Sequence, residues 1–112
     1  MEISSADEET EAVPGAWLSQ GAAGASTSVQ HFRVEPGATV PAHSHPHEQA
    51  GYLARGEGVF VVEGERRPVS AGDGYVIPGG ETHALEVTGD EPVVGVDVFS
   101  PPRTDPDWAS ED

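Results

Sequence analysis

The sequence of 112 residues contains no cysteine and no lysine, and it has no long apolar run. Without cysteine there is no disulfide framework and no thiolate zinc site, so any bound metal must rely on histidine and oxygen ligands. No apolar run approaches the length that spans a membrane, and the N-terminus lacks the basic segment followed by apolar residues that marks a secretory signal. We therefore expect a soluble, cytoplasmic protein.

The missing lysine leaves five arginines against twenty Asp and Glu, which gives a formal net charge of −15. Nucleic acids and anionic membranes attract basic surfaces, so neither is expected as a partner. An acidic surface without lysine resembles the halophilic proteins, in which molar salt shortens the screening length to about 3 Å and relieves self-repulsion. The simpler alternative is an acidic protein with an acidic tail.

The pattern along the chain consists of short runs of alternating apolar residues between Gly/Pro turns, with no helical periodicity. Such a pattern indicates an all-β, antiparallel sandwich or barrel in one small domain. Strands are predicted at 26–34, 51–55, 59–62, 66–69, 75–77, 82–87 and 93–99, with a tight hairpin turn at Glu63-Gly64. We predict a disordered acidic arm over residues 1–12, a β-barrel domain over 13–103 and an acidic tail over 104–112. Within the domain, residues 13–25 are too rich in Gly and Ala for a firm assignment.

Three of the five histidines lie within five residues, in the segment H-S-H-P-H-E-Q from His43 to Gln49. In an extended strand alternate side chains share a face, so His43 and His45 would point the same way and could share one ion. Gln49 has the same parity and can add a carbonyl oxygen, a donor set that suits a borderline or fairly hard divalent metal. Glu48 has the opposite parity and should face outward, but the nearby prolines could break the parity and make it the ligand instead.

The alternative for this segment is a solvated, proline-interrupted loop, since an H-x-H pair alone is a weak signal. A second Gly/Pro-rich stretch, G-D-G-Y-V-I-P-G-G-E-T-H, ends in His83 and supplies a fourth candidate ligand. We therefore predict that His43, His45, Gln49 and His83 bind one divalent metal ion, with Zn, Ni, Mn and Fe left open. His31 is predicted to be a surface residue and not a ligand.

These two stretches resemble the two sequence motifs of the cupins. Residues 37–56 read G-x5-H-x-H-x3-Q-x6-G, like the first motif, in which Glu usually stands at the position of Gln49. Residues 72–83 read G-x5-P-x-G-x2-H, like the second motif, and Val87 stands where Asn is often found. The resemblance implies a single-domain cupin, an antiparallel jelly-roll β-barrel, and it implies a homodimer.

The run V-D-V-F-S-P-P-R, from Val96 to Arg103, ends the last predicted strand. Asp97 and Phe99 share one face, so if that face is interior, a carboxylate and an aromatic ring point into the metal pocket. An aspartate buried among apolar strand residues needs a partner or a chemical role. The simpler alternative is that Asp97 is paired with an arginine or a backbone donor.

Together with the histidine motifs, the run D-V-F-S-P-P-R is similar to the small cupins of uronate degradation, the pectin-degradation (KdgF-type) proteins. These proteins linearise unsaturated monouronates to a ketonic sugar acid. The resemblance implies that Asp97 is the general acid/base, that Arg103 binds the substrate carboxylate in bidentate fashion, and that Phe99 supports the sugar ring. It also implies that the metal polarises sugar oxygens and that the partner is a small anionic sugar.

Two other functions are compatible with the same residues. A metal-dependent dioxygenase, or another metal-dependent cupin enzyme, could use the histidine set with iron or manganese, and oxygen consumption would reveal a dioxygenase. A non-catalytic sugar- or metal-binding module would bind its ligand without turnover. The fold alone does not decide among these functions.

Overall fold

The computed structural model describes residues 1–6 and 8–104 of the chain. The described part contains ten strands and no helix. The strands are β1 (Thr10–Val13), β2 (Ala16–Ala23), β3 (Ser28–Val34), β4 (Thr39–His43), β5 (Glu48–Arg55), β6 (Glu57–Val62), β7 (Glu65–Ser70), β8 (Gly74–Ile77), β9 (His83–Val87) and β10 (Val93–Ser100). Within the described residues, no helix is long and apolar enough to cross a membrane.

The strands form two antiparallel sheets that enclose one core. The larger sheet has the order β1-β2-β3-β10-β5-β8, and the smaller sheet has the order β4-β9-β6-β7. The predicted all-β, antiparallel fold is therefore confirmed. The two sheets face each other as a sandwich, and their hydrogen bonding does not close into a continuous barrel.

The core follows the alternation that the sequence shows. In β3 every second side chain is buried, including Phe32 and Val34, which belong to the same core cluster as Leu53 of β5 and Val93 of β10. Burial of such side chains stabilises each by about 1.5 to 3 kcal/mol, so this alternation fixes which face of the sheet points inward. The predicted hairpin turn at Glu63-Gly64 is also confirmed, because both residues have the positive φ that a two-residue turn between β6 and β7 requires.

The structure differs from the sequence-based expectation at the N-terminal arm. Residues 10–12, placed in the disordered arm by their acidic composition, belong to β1, which pairs with β2. Its partner β2 is an eight-residue strand within residues 13–25, the segment that was too rich in Ala and Gly to assign. Of the predicted tail at 104–112, only Thr104 lies within the described residues.

The histidine segment is not one extended strand, contrary to the parity argument. β4 ends at His43 and β5 begins at Glu48, and these two strands belong to different sheets. The segment must therefore cross from one sheet to the other, and Pro46, which lacks an amide proton and restricts the residue before it, favours a break there.

A close backbone approach ties this crossover to the second histidine motif. The amide of Gly80 donates a hydrogen bond of 2.8 Å to the carbonyl oxygen of His45. A Cβ atom at Gly79 would overlap with the carbonyl oxygen of Pro46, so only glycine permits the approach. The two loops that carry the histidines are thereby fixed relative to each other.

Candidate metal centre

Three of the four predicted ligands converge in one cluster of side chains. His43 ends β4, His45 lies in the crossover, and His83 begins β9 directly opposite His43 in the strand register. One ring nitrogen from each of the three lies within 4.8 Å of the others, a cluster that could hold a metal ion. Within the part of the chain that the structure describes, His31 belongs to no such cluster.

Backbone carbonyl groups orient all three imidazole rings. The Nδ1 atom of each ring lies near the carbonyl oxygen of a residue two positions away, at 2.9 Å for His43, 3.2 Å for His45 and 2.9 Å for His83. A neutral ring that donates its Nδ1 proton to a carbonyl keeps a lone pair on Nε2. This arrangement is the one by which ligating histidines are generally held, with the second nitrogen free for a metal.

The free nitrogens lack the partners that buried polar atoms require. The Nε2 atom of His83 is buried with no hydrogen-bond partner among the described residues. The Nε2 atom of His45 lies 3.0 Å from Oε1 of Gln49, although the Nδ1 atom of the same ring already faces a carbonyl oxygen. A neutral imidazole has one proton for these two acceptors, so one contact is left without a donor. A cation bound by these atoms would satisfy both residues, and the site therefore fits a metal.

Burial favours the neutral form of the two buried imidazoles, His45 and His83. Burial lowers the pKa of His45 to about 4, and the positive charge of Arg103 acts in the same direction. Burial also lowers the pKa of His83. Neutral imidazole is the ligating form, so both shifts favour metal binding.

The structure also separates the two alternatives for the fourth ligand. Gln49 is buried at the cavity wall, whereas Glu48 is exposed on the other face of β5. A continuous strand through His43 was the reason for placing Glu48 outside and Gln49 inside, and the break between β4 and β5 removes that reason. Ligation by Gln49 remains a prediction, which the proximity of Oε1 to His45 supports.

The cluster opens into a cavity of about 440 Å³ between the two sheets. His43 is exposed at one side of the cluster, while His45 and His83 are buried. The polar part of the cavity wall includes Gln49, Asp97 and Arg103. Most of the remaining wall is apolar, with Leu18, Phe32, Val34, Val40 and Leu85 among its residues.

Asp97 points into this cavity from β10 and is only 6% exposed. The hydroxyl group of Tyr75 donates a hydrogen bond of 2.6 Å to its Oδ1 atom, and the side chain of Gln49 also donates to the carboxylate. Burial raises the pKa of Asp97 to about 6, while these two hydrogen bonds and the charge of Arg103 oppose that increase. The carboxyl can therefore exchange a proton near neutral pH.

The side chains of Phe99 and Arg103 meet at the same end of the cavity. Phe99 is 1% exposed, and its ring centre lies 5.5 Å from that of His45. The guanidinium of Arg103 lies over the Phe99 ring at 5.3 Å. Backbone hydrogen bonds hold Arg103 there, because its amide donates to Oγ of Ser28 at 2.7 Å and its carbonyl accepts from Gln20 at 3.0 Å.

Two polar residues of the cavity were not predicted as site residues. Tyr75 was assigned only to a strand, and its contact with Asp97 depends on strand pairing that the linear sequence does not display. Gln30, the register partner of Asp97 on β3, is buried, and its Oε1 atom has no partner among the described residues. The alternation of β3 is the signal that could have placed Gln30 inside, since it shares the parity of Phe32.

The comparison with known protein families agrees with this geometry. The Cupin domain family matches residues 30–99, which include both histidine motifs and the last strand to Phe99. The chain belongs to the cupin family. Both histidine motifs lie within the matched residues, and they carry the histidine cluster, in which His43 is exposed and His45 and His83 are buried.

Among curated proteins, this cupin is similar to the pectin degradation protein KdgF of Dickeya dadantii, with 40% identity over 70 residues. It is also similar to a gentisate 1,2-dioxygenase of Ralstonia sp., with 35% identity over 90 residues. The matches cover 62% and 80% of this chain but 63% and 25% of the two relatives, so less than two thirds of each relative is spanned. A solved structure of KdgF from Halomonas sp. superposes with a TM-score of 0.79 at 29% identity, covering 88% of this chain and 90% of the other.

Proposed function

We propose that this cupin is a metal-dependent enzyme that opens unsaturated uronate monosaccharides to linear keto acids. The observation that carries the proposal is the convergence, in one cavity, of the histidine cluster with Asp97, Phe99 and Arg103. Similarity to KdgF, a protein named for pectin degradation, supports the same substrate class.

The reaction needs a proton carrier and no co-substrate. An unsaturated uronate is a cyclic hemiacetal whose ring oxygen is attached to the carbon–carbon double bond. Removal of the proton from the anomeric hydroxyl forms the aldehyde, breaks the bond between the anomeric carbon and the ring oxygen, and leaves that oxygen as an enolate. Delivery of the same proton to the far carbon of the double bond gives the ketone. The product is an isomer of the substrate, so atoms and electrons balance.

Asp97 is the residue suited to carry this proton. Its buried carboxyl has a pKa of about 6, so it can accept a proton from a hydroxyl and return it to carbon near neutral pH. The hydrogen bonds from Tyr75 and Gln49 fix the direction in which the carboxyl faces the cavity. A single group acting in both steps ends the cycle in its starting protonation state.

Arg103 and Phe99 would position the substrate. The guanidinium can bind the uronate carboxylate through two parallel hydrogen bonds, and the Phe99 face beneath it offers an apolar surface to the sugar ring. His43, His45 and His83, with Gln49 as the fourth ligand, would hold the metal. When bound, the metal supplies a Lewis acid that polarises a substrate oxygen.

Turnover by protein of known metal content tests the proposal. Incubation with unsaturated galacturonate and guluronate in KCl should yield the keto acids, observed by NMR. Asp97→Asn should keep its metal and its fold but lose about a hundredfold or more in turnover. Normal turnover by Asp97→Asn would contradict the role of Asp97, and absence of turnover in the metal-loaded wild type would contradict the function.

The apolar cavity wall favours a second candidate, a dioxygenase acting on a small aromatic acid. The apolar side chains of Leu18, Phe32 and Leu85 could pack against an aromatic ring, and the chain is similar to a protein named gentisate 1,2-dioxygenase. This activity would consume oxygen in the presence of iron and gentisate, which ring opening of a uronate does not. An oxygen electrode therefore separates the two candidates.

A further inference from the structure

The phenol of Tyr75 reaches Asp97 across an intervening strand. In the larger sheet Gly51 of β5 is the register partner of Asp97 on one side and of Tyr75 on the other. Strands are spaced about 4.8 Å apart, so Tyr75 and Asp97 start from backbones about 10 Å apart on the same inner face. The tyrosine side chain spans this gap and places its hydroxyl 2.6 Å from Oδ1 of Asp97.

The contact depends on the absence of a side chain at Gly51. A Cβ atom built at this position would overlap with Cζ and the hydroxyl of Tyr75 and with Oδ1 of Asp97. Glycine inside a strand weakens the strand unless a close approach requires it. At Gly51 the side chains of Tyr75 and Asp97 approach the β5 backbone to form their hydrogen bond. Glycine at this position leaves the space that the pair occupies.

The pair is held rigidly at the cavity wall. The Tyr75 ring packs against Phe60 at 4.7 Å between ring centres, and both Tyr75 and Asp97 line the cavity. The side chain of Gln49 donates to the same carboxylate. The Tyr75 hydroxyl, carried by a ring that packs against Phe60, therefore holds one carboxylate oxygen of Asp97 in place.

We propose that Tyr75 is a positioning residue, which holds the Asp97 carboxyl in its reactive orientation through the gap at Gly51. The inference rests on the proposed function, in which Asp97 transfers the proton. Misplacing a catalytic group by about 1 Å can lower the rate about a hundredfold, so a fixed orientation of the Asp97 carboxyl should increase kcat. The contact acts on Asp97 and not on the bound ground state, so its loss should change kcat far more than KM.

The first test compares Tyr75→Phe with Tyr52→Phe, its matched control. Tyr52 is the only other tyrosine in the chain and is 51% exposed on the outer face of the same sheet. Tyr75→Phe should lower kcat by about ten- to a hundredfold per folded, metal-loaded molecule, with KM changed by less than about twofold. Tyr52→Phe should leave both constants unchanged. A lower melting temperature with unchanged kcat in Tyr75→Phe would overturn the inference and leave Tyr75 a structural residue.

The second test uses Gly51→Ala, which should displace the phenol without altering it. Gly51→Ala should lower kcat at least as much as Tyr75→Phe, and in the Tyr75→Phe background it should have much less effect, since the hydrogen bond is already lost. Gly58→Ala is the control for strain, because its Cβ would overlap with the Glu86 carbonyl oxygen in the smaller sheet. It should lower stability while kcat is kept. Independent, multiplicative effects of Gly51→Ala and Tyr75→Phe would contradict the inference.

A measurement without substrate distinguishes failure of this inference from failure of the proposed function. The Tyr75 hydroxyl proton, which is donated to Asp97, should give a slowly exchanging signal in the NMR spectrum of the wild type and of Tyr52→Phe. The signal should be absent in Gly51→Ala. If the signal is present but no uronate is converted, the proposed function fails and the pairing across Gly51 stands. If uronates are converted but the wild type lacks the signal, the inference fails and the function stands.

Discussion

Replacing Asp97 with Asn should make the metal-free protein more stable at pH 8 while it removes the proposed proton-transfer group. The reason is that burial penalises the ionised carboxylate, and an amide of the same shape carries no charge. The stabilising effect should vanish below about pH 3, where the carboxyl of the wild type is protonated in both the folded and the unfolded chain.

The magnitude follows from the change in pKa on folding. A carboxyl whose pKa is raised by folding stabilises the fold below its unfolded pKa, and that contribution is lost as the pH rises through the folded pKa. Folding raises the pKa of Asp97 from 3.8 to about 6, so the window runs between these values. At 1.36 kcal/mol per unit this amounts to about 3 kcal/mol. Asn accepts a weaker hydrogen bond from Tyr75, which costs about 1 kcal/mol, and the net gain at pH 8 is about 2 kcal/mol.

Urea unfolding of both proteins, metal-free and in KCl, at several values between pH 3 and pH 8 measures this effect. The difference between the two unfolding free energies cancels every other titrating group, so it reports Asp97 alone. It should increase by about 3 kcal/mol in favour of Asp97→Asn as the pH rises. A constant difference across this range would refute the reasoning, because it would mean that the pKa of Asp97 is not raised by folding.

Three further predictions concern the metal, the substrate carboxylate and the surface charge. His83→Ala should lose stoichiometric metal, measured by elemental analysis, while His31→Ala keeps it; retention in His83→Ala would contradict the cluster. Arg103→Lys should raise KM for a uronate by about tenfold, with a smaller effect on an analogue that lacks the carboxylate, and equal effects on both would exclude the bidentate contact. The melting temperature should rise with KCl up to molar concentration because of the net charge of −15, and equal values at low and high salt would exclude the halophilic interpretation.

Local patterns in the sequence predict most of the strands. The β3 segment alternates so regularly that its inward residues follow from parity alone, and the Glu63-Gly64 turn follows from residue type. β1 was not predicted because of its acidic surroundings, and β2 was not predicted because Ala and Gly carry little strand preference. The two strands pair as an extension of the larger sheet.

The histidine cluster was predicted by spacing, although the geometry behind it is different. A continuous strand through His43 and His45 was assumed, whereas the chain crosses between sheets there and the loop containing Gly79 holds the crossover in place. Alternation can place two side chains on one face, but it contains no information about which strands become neighbours.

The residues around Asp97 show the limit of sequence-based reasoning most clearly. Tyr75 and Asp97 lie 22 positions apart in the sequence. They meet because β8 and β10 lie on either side of β5 in the sheet. Gly51 has no side chain that could suggest a role in the sequence. Its role follows from the space beside it, which the side chains of Tyr75 and Asp97 occupy. Such contacts follow from strand order and register, which depend on the whole fold.

The most direct test of a metal-dependent uronate enzyme is the return of activity when metal is added to the chelated protein. Metal-free protein should convert no unsaturated galacturonate, and titration with a divalent metal should restore turnover in proportion to the metal until one ion is bound per chain. Full turnover by the metal-free protein, or saturation with metal without any turnover, would contradict the account.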